Sequence, residues 1–319
     1  MRDINMSRHA IIRTCADAFR CALHRATHDR VRVCWTALLV ILIGTACFLP
    51  IGVAHAANID SPLEASIERF IKRYRRSRQL ASTERTSFVV YDISRQKKLV
   101  SINEDQPRMA ASLIKNFVML AYFHEVKQGR KAHTNYNRAQ LRKMIQKSSN
   151  PATNYFIRLL GGPRRVQRIL KANYRYFQQT RIVEYIPAGG RTYRNMTSAH
   201  DLNRFYVQLW RGNLPFSEKM KWYLKLPNGD YIFKKTRIPA SVKVYNKTGT
   251  VYGLVADSGV LVFRDAKGRA RPYVFTGMIQ DRTKTNRRNR YQSFGAWVTR
   301  RANILRRVSE KAYGYLANH

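Results

Sequence analysis

The sequence predicts a mixed α/β (α+β) protein. An antiparallel sheet is covered by helices from both ends of the folded region, and a helical lobe is inserted between the sheet halves. Three observations predict it. Strand-like alternation is confined to two separate regions, about 60–110 and 240–319. The stretch between them, about 111–238, carries apolar residues at helical spacing. Each end of the region from residue 57 onward is an amphipathic helical pattern.

The chain starts with a different composition. Residues 1–33 hold seven Arg, three Asp and no Lys, and "WTALLVILIGTACFLPIGV" at 35–53 is uncharged. "AHA" then precedes Ala57. Basic, apolar and small is the order of a secretory signal, with Met6 an alternative start. The apolar run is also just long enough for an uncleaved membrane anchor. Residues 1–56 are therefore expected to be a signal peptide or N-terminal anchor, and 57–319 the folded domain, periplasmic or membrane-tethered. All four cysteines lie in the leader, so residues 57–319 offer no disulfide framework and no cysteine metal site.

Charge is extreme. The full chain carries 59 Lys and Arg against 19 Asp and Glu, and the region after residue 56 carries 52 against 16, a net +36. Such a field attracts polyanions. Export and the lack of any zinc-finger or RNP-type signature argue against nucleic acid. An anionic envelope polymer suits the charge better, and a solvated basic surface suits it equally. A monomer is expected.

The elements follow in order. Residues 61–77 place Leu63, Ile67, Phe70 and Ile71 on one helical face. "TSFVVYDISRQKKLVSI" reads as two strands around a polar turn. "MAASLIKNFVMLAYFHEV" opens a buried helix through Leu113, Ile114, Phe117, Val118, Ala121 and Tyr122. Residues 137–147 form a basic helix. In "SSNPATNYFIRLLGGP", Asn150 is expected to cap, Pro151 to take the first helical position and Gly161 to end the helix. In "TSAHDLNRFYVQLWRG", Ser198 caps, Asp201 supports the first turn and Gly212 stops it. "VKVYNKTG", "GLVADSGVLVFRD" and "RPYVFTGMIQD" alternate as strands, the last two joined around "AKGR". A final amphipathic helix carries Phe294, Trp297, Val298, Ile304, Leu305 and Val308.

Ser112 lies three residues before Lys115, on one face of the buried helix. A serine hydroxyl needs a base to attack, and a desolvated lysine loses enough basicity to serve. Ser94 and Lys97 share the spacing, but in a polar turn where the lysine stays solvated and charged. Ser148 and Asn150 stand just before a helix start. A hydroxyl there can shuttle a proton, and the amide can hold a substrate amide. "KTG" at 247–249 offers a cation and a hydroxyl to a carboxylate. Gly249, without a side chain, lets a substrate backbone approach the strand. "HE" at 124–125 lacks the second histidine of a zinc site. His200 reads as solvated, and Tyr174, Tyr176 and Phe177 as core or groove wall. No metal or cofactor is implied.

The order SxxK, SxN, KTG resembles the penicillin-recognising serine hydrolases, and within them the β-lactamase class A-like family. The resemblance spans roughly residues 62–318 and includes "LLGGP" and "KTGTVYGLVADSGVL". It implies a β-lactamase/transpeptidase-like fold. It implies Ser112 as nucleophile, Lys115 as base or relay, Ser148 as second relay hydroxyl and Asn150 as contact to the acyl side chain. Lys247 and Thr248 would hold the substrate carboxylate. The N–H groups of Ser112 and Thr250 would form an oxyanion hole. Three departures stand out. Ser149 replaces an Asp, the stretch from Ser112 to Ser148 is short, and Ala188 stands where a water-holding Asn follows the family's loop glutamate. Glu184 is at the place of that glutamate, as a deacylation base or as an acid paired with a neighbouring cation. The implied substrates are a β-lactam or a D-amino-acid peptide amide of peptidoglycan. The reading from another class is a non-catalytic basic envelope-binding protein.

Overall fold

A computed structural model describes residues 61–285 and 294–319. The expectations for the leader and its cysteines lie outside those residues. Helix α1 (Pro62–Arg76) is capped by Ser61, whose hydroxyl accepts the Glu64 N–H at 3.1 Å. Strands β1 (Glu84–Asp92) and β2 (Lys97–Ile102) form the first hairpin, and β3 (Arg108–Met109) is a two-residue strand. The lobe holds α2 (Ile114–Lys127), α3 (Asn135–Gln146), α4 (Asn150–Leu159) and α5 (Pro163–Asn173). After β4 (Met196–Thr197) come α6 (Ala199–Trp210) and α7 (Ser217–Lys225). Strands β5 (Lys243–Val251), β6 (Leu254–Arg264) and β7 (Ala270–Asp281) precede α8 (Phe294–Ala317).

The five long strands make one antiparallel sheet ordered β2-β1-β7-β6-β5, so the two halves predicted from sequence join through β1 and β7. Alternation sends each strand's side chains to two cores. Phe88, Val90, Phe275 and Ile279 pack under α1 and α8 with Ile67, Leu305 and Val308. Val89, Ala256, Val274 and Met278 face the lobe, where α2 is buried along nearly its whole length. Among the described residues no helix is long and apolar enough to cross a membrane.

Three local expectations are corrected. Ser149, not Asn150, caps α4, because its hydroxyl accepts the Ala152 N–H at 3.2 Å. That leaves the Asn150 amide free to turn toward α2. Helices α5 and α7 were not predicted, although Val166, Ile169 and Leu170 sit at helical spacing behind Pro163. His200 is not solvated: its side chain is 12% exposed, with Nδ1 3.4 Å from Asp201 and 3.8 Å from Asp105.

One buried ion pair ties the sheet to its terminal helix. Glu84, fully buried on β1, accepts a two-pronged contact from the Arg301 guanidinium of α8 and the Trp297 indole N–H. Glu84→Ala leaves a buried guanidinium uncompensated, so it is expected to destabilise the fold by about 3–5 kcal/mol. A urea midpoint within error of the parent's would show the pair to be immaterial.

Candidate active site

The turn before α2 builds the centre of the site. Residues Ala111–Leu113 form one 3-10 turn whose start is in an uncommon conformation, with Ala111 at φ 43°. Ser148, at φ 53°, occupies the same left-handed region at the foot of α4. Non-glycine residues there carry strain of about 1–3 kcal/mol, and such strain gathers at sites where the surroundings over-determine the backbone. Both residues aim short hydroxyls at one point. Lys115 Nζ donates to Ser112 Oγ at 2.7 Å and to Asn150 Oδ1 at 3.0 Å. Ser148 Oγ donates to Ser112 Oγ at 2.9 Å. Ser112 and Ser148 remain partly exposed, whereas Lys115 is fully buried.

The electrostatics follow from that burial. Desolvation, and then the charge of Lys247, hold the Lys115 ammonium well below its ordinary lysine value. Lys247 itself is buried on β5 and pushed down to about 8 by desolvation, a drop that Asp257 partly offsets. Once Lys115 is neutral, the 2.7 Å contact can carry the Ser112 proton to nitrogen, and the 2.9 Å contact offers a second path through Ser148. Ser94 and Lys97, by contrast, are both exposed.

Ser112, Ser148, Asn150 and Thr250 line one open pocket of about 570 Å³. The remaining wall comes from Ala111, from Gly189–Tyr193 and from Val251, Tyr252 and Phe294, the last two rings stacked 4.2 Å apart. Strand β5 is the sheet edge here, as the resemblance implies for the substrate side. Gly249 is also constrained by packing within the protein. A Cβ there would stand 2.8 Å from Leu113 and 3.1 Å from the Ala110 carbonyl, so the glycine lets β5 press against the Ser112 turn. Lys247 and Thr248 do not contribute to the pocket wall. Lys247 donates to the Thr248 carbonyl at 3.1 Å, and the Thr248 hydroxyl faces Gly229.

Glu184 is likewise off the wall. Its carboxylate accepts the Thr192 hydroxyl at 2.9 Å and the Arg194 N–H at 3.1 Å, with no ion pair among the described residues. Asn195 completes this small loop by accepting the N–H groups of Val183 and Glu184, while its own carbonyl receives the Ala110 N–H at 2.8 Å. Asn154 of α4 clamps Ile186 at both main-chain atoms, each 2.8 Å away. Glu184 thus shapes the segment that carries Arg191. Arg191, exposed on the wall without a hydrogen bond or ion pair among the described residues, was not singled out from sequence. Nothing marks one arginine among 59 cations until the Gly189–Gly190 turn places it. The described residues contain no group of three His, Cys, Asp or Glu side chains able to hold a metal ion.

An antiparallel sheet with an inserted helical lobe defines this chain as a protein of the penicillin-recognising serine hydrolase type, with the Ser–Lys–Ser cluster at the junction of the two. It belongs to the Beta-lactamase enzyme family, whose model matches residues 63–136 and 132–316. Among solved structures, PBP-A is similar at 20% identity and TM-score 0.64, over 81% of this chain and 96% of its own. A mutant of PBP-A is an acyl-enzyme complex with penicillin G. An ancestral class A β-lactamase matches at 18% identity and TM-score 0.63, over 79% of this chain and 99% of its own. The chromosome-encoded β-lactamase of Vibrio parahaemolyticus matches at 14% identity and TM-score 0.64, over 81% of this chain and all of its own. No curated protein matches the sequence.

Proposed function

We propose that the protein is an exported serine acyl-transfer hydrolase that cleaves a D-amino-acid peptide amide through an acyl-Ser112 ester, and that β-lactams acylate the same serine and leave it slowly. The observation that carries this reading is the Ser112 hydroxyl held at hydrogen-bond distance from both a buried lysine and a second serine, on the wall of an open pocket. Ser112 Oγ attacks the carbonyl as its proton passes to Lys115. The oxyanion is met by the N–H groups of Ser112 and Thr250. The proton reaches the leaving nitrogen through Ser148, and water then releases the acyl group. Export is supported by the leader's order of basic, apolar and small residues. The penicillin G acyl-enzyme of PBP-A supports β-lactam acylation.

Slow release is favoured over efficient β-lactam hydrolysis by Glu184. One oxygen of its carboxylate, Oε1, accepts from both Thr192 and Arg194, and Ala188, four residues on, is an exposed methyl group with no polar atom to hold a water. Intact-mass spectrometry after addition of benzylpenicillin tests this. The expected result is a single adduct on Ser112 that persists, with Glu184→Gln changing its lifetime by less than about threefold, the size of a minor positional effect. A transient adduct that Glu184→Gln traps would make Glu184 the deacylation base and the protein a β-lactamase. No adduct at all would favour the non-catalytic reading.

Arg191 supplies the carboxylate contact in this reading, with Lys247 acting behind it through its field. Removing one charge-assisted hydrogen bond costs about 1.5–3 kcal/mol. Arg191→Gln is therefore expected to lower the second-order acylation rate about tenfold or more. An unchanged rate would return the carboxylate to Lys247 and Thr248.

A further inference from the structure

A second large concavity lies outside the pocket that holds Ser112. It is a groove of about 1070 Å³ between α5 and the segment leading to Glu184. Arg168, Lys171 and Arg175 line it at spacings of three and four residues, one stripe along α5 and just past its end, and Arg181 faces them from the following segment. All four are exposed, and none has a hydrogen bond from its side chain or an ion pair among the described residues. The surrounding sequence reinforces the charge: between Glu125 and Glu184 there are 14 Lys and Arg and no Asp or Glu. Aligned like charges without a counter-charge repel one another and destabilise the face that carries them, unless an external anion offsets them. One wall of the groove is tied to the lobe by hydrogen bonds. The Asp201 carboxylate accepts the N–H groups of Gln178, Gln179 and Thr180 at 2.6–3.0 Å and so pins that wall to α6.

We propose that this groove binds an anionic polysaccharide, one whose acidic groups recur along a linear chain. Nucleic acid is the competing polyanion, and the groove is poorly made for it. Bases need free aromatic faces to stack on. Phe177 is the one aromatic residue in the groove, and its half-buried ring is already packed edge-on against Phe117 and Tyr176. The exposed amide of Gln178 suits sugar hydroxyls instead. The site stands apart from the acyl-transfer pocket and would anchor the protein along a charged polymer without using Ser112.

The test uses the full chain, a fluorescent heparin oligosaccharide as the probe, and single-stranded DNA of matched charge as comparison. Binding is followed by anisotropy over a salt series. Two variants each remove four positive charges: Arg168→Gln/Lys171→Gln/Arg175→Gln/Arg181→Gln in the groove, and Arg69→Gln/Arg73→Gln/Arg76→Gln/Arg78→Gln on exposed positions of α1 and just beyond. The groove variant is expected to lose about tenfold or more in heparin affinity and to flatten the salt dependence, the control to lose less than about threefold, and DNA to bind more weakly than heparin. Equal losses in both variants would overturn the proposal in favour of a diffuse surface charge. Absence of heparin binding would overturn it outright. Tighter DNA binding that is lost in the groove variant would make the groove a nucleic-acid site. Penicillin acylation of Ser112, read on the same groove variant, reports separately on the acyl-transfer reading and is expected to be retained.

Discussion

Ser112→Ala is expected to abolish the penicillin adduct and to lower any amide turnover by roughly 10⁴-fold or more, while Ser94→Ala leaves both intact. The two serines are a matched pair in sequence, each three residues before a lysine. They differ in environment. Lys115 is fully buried and holds Ser112 Oγ at 2.7 Å, whereas Lys97 is exposed beside an exposed Ser94. Burial makes the Lys115 amine easier to deprotonate and its contact places that nitrogen on Ser112 Oγ, the arrangement a serine needs to attack. An adduct that survives Ser112→Ala, or one lost with Ser94→Ala, would overturn the assignment of the nucleophile.

Lys115→Met is expected to slow acylation by about 10²–10⁴-fold, the range for loss of a positioned general base. The same substitution is expected to stabilise the fold by on the order of 1 kcal/mol or more, since an apolar side chain of similar volume replaces a buried ionisable one. The two effects have opposite signs, which separates a catalytic lysine from a structural one. In the folded protein Lys115 binds its proton less readily than in the unfolded chain. The unfolded chain therefore holds more protons between the depressed value and the ordinary 10.5, and the lysine's contribution to stability rises with pH across that window. Below it the penalty is full. The melting temperature of Lys115→Met should accordingly exceed the parent's by most at acidic pH, and the gap should close as pH rises. Parent acylation should fall on acidification through the same depressed value, because a protonated amine has no lone pair for the Ser112 proton. A variant that is less stable than the parent at every pH would mark Lys115 as a packing element.

The Ser112–Lys115 pairing is readable because its signal is local. Apolar spacing from Leu113 to Tyr122 predicts a buried helix, and a buried helix brings Ser112 and Lys115 onto one face. The split sheet was readable for the same reason, as alternation in 86–102 and after 242 marks strands whatever lies between them. The capping residue of α4 was misplaced because Ser149 and Asn150 are both good caps, and only the demand of Lys115 for an acceptor separates them.

Sequence by itself determined the architecture, the charge and the order of Ser112, Lys115, Ser148 and Asn150, because periodicity and motif spacing act over a few residues. Tertiary structure alone decided what lines the pocket. Arg191 reaches it through a loop organised by Glu184 and Asn195, and Lys247 is buried on β5 with its ammonium on the Thr248 carbonyl. The left-handed backbone at Ala111 and Ser148 belongs to the same class, since it is imposed by contacts between segments 36 residues apart rather than by their own preferences. The physical reason is common to all three: they depend on which distant surfaces meet, and no local pattern encodes the angle or the depth at which they do.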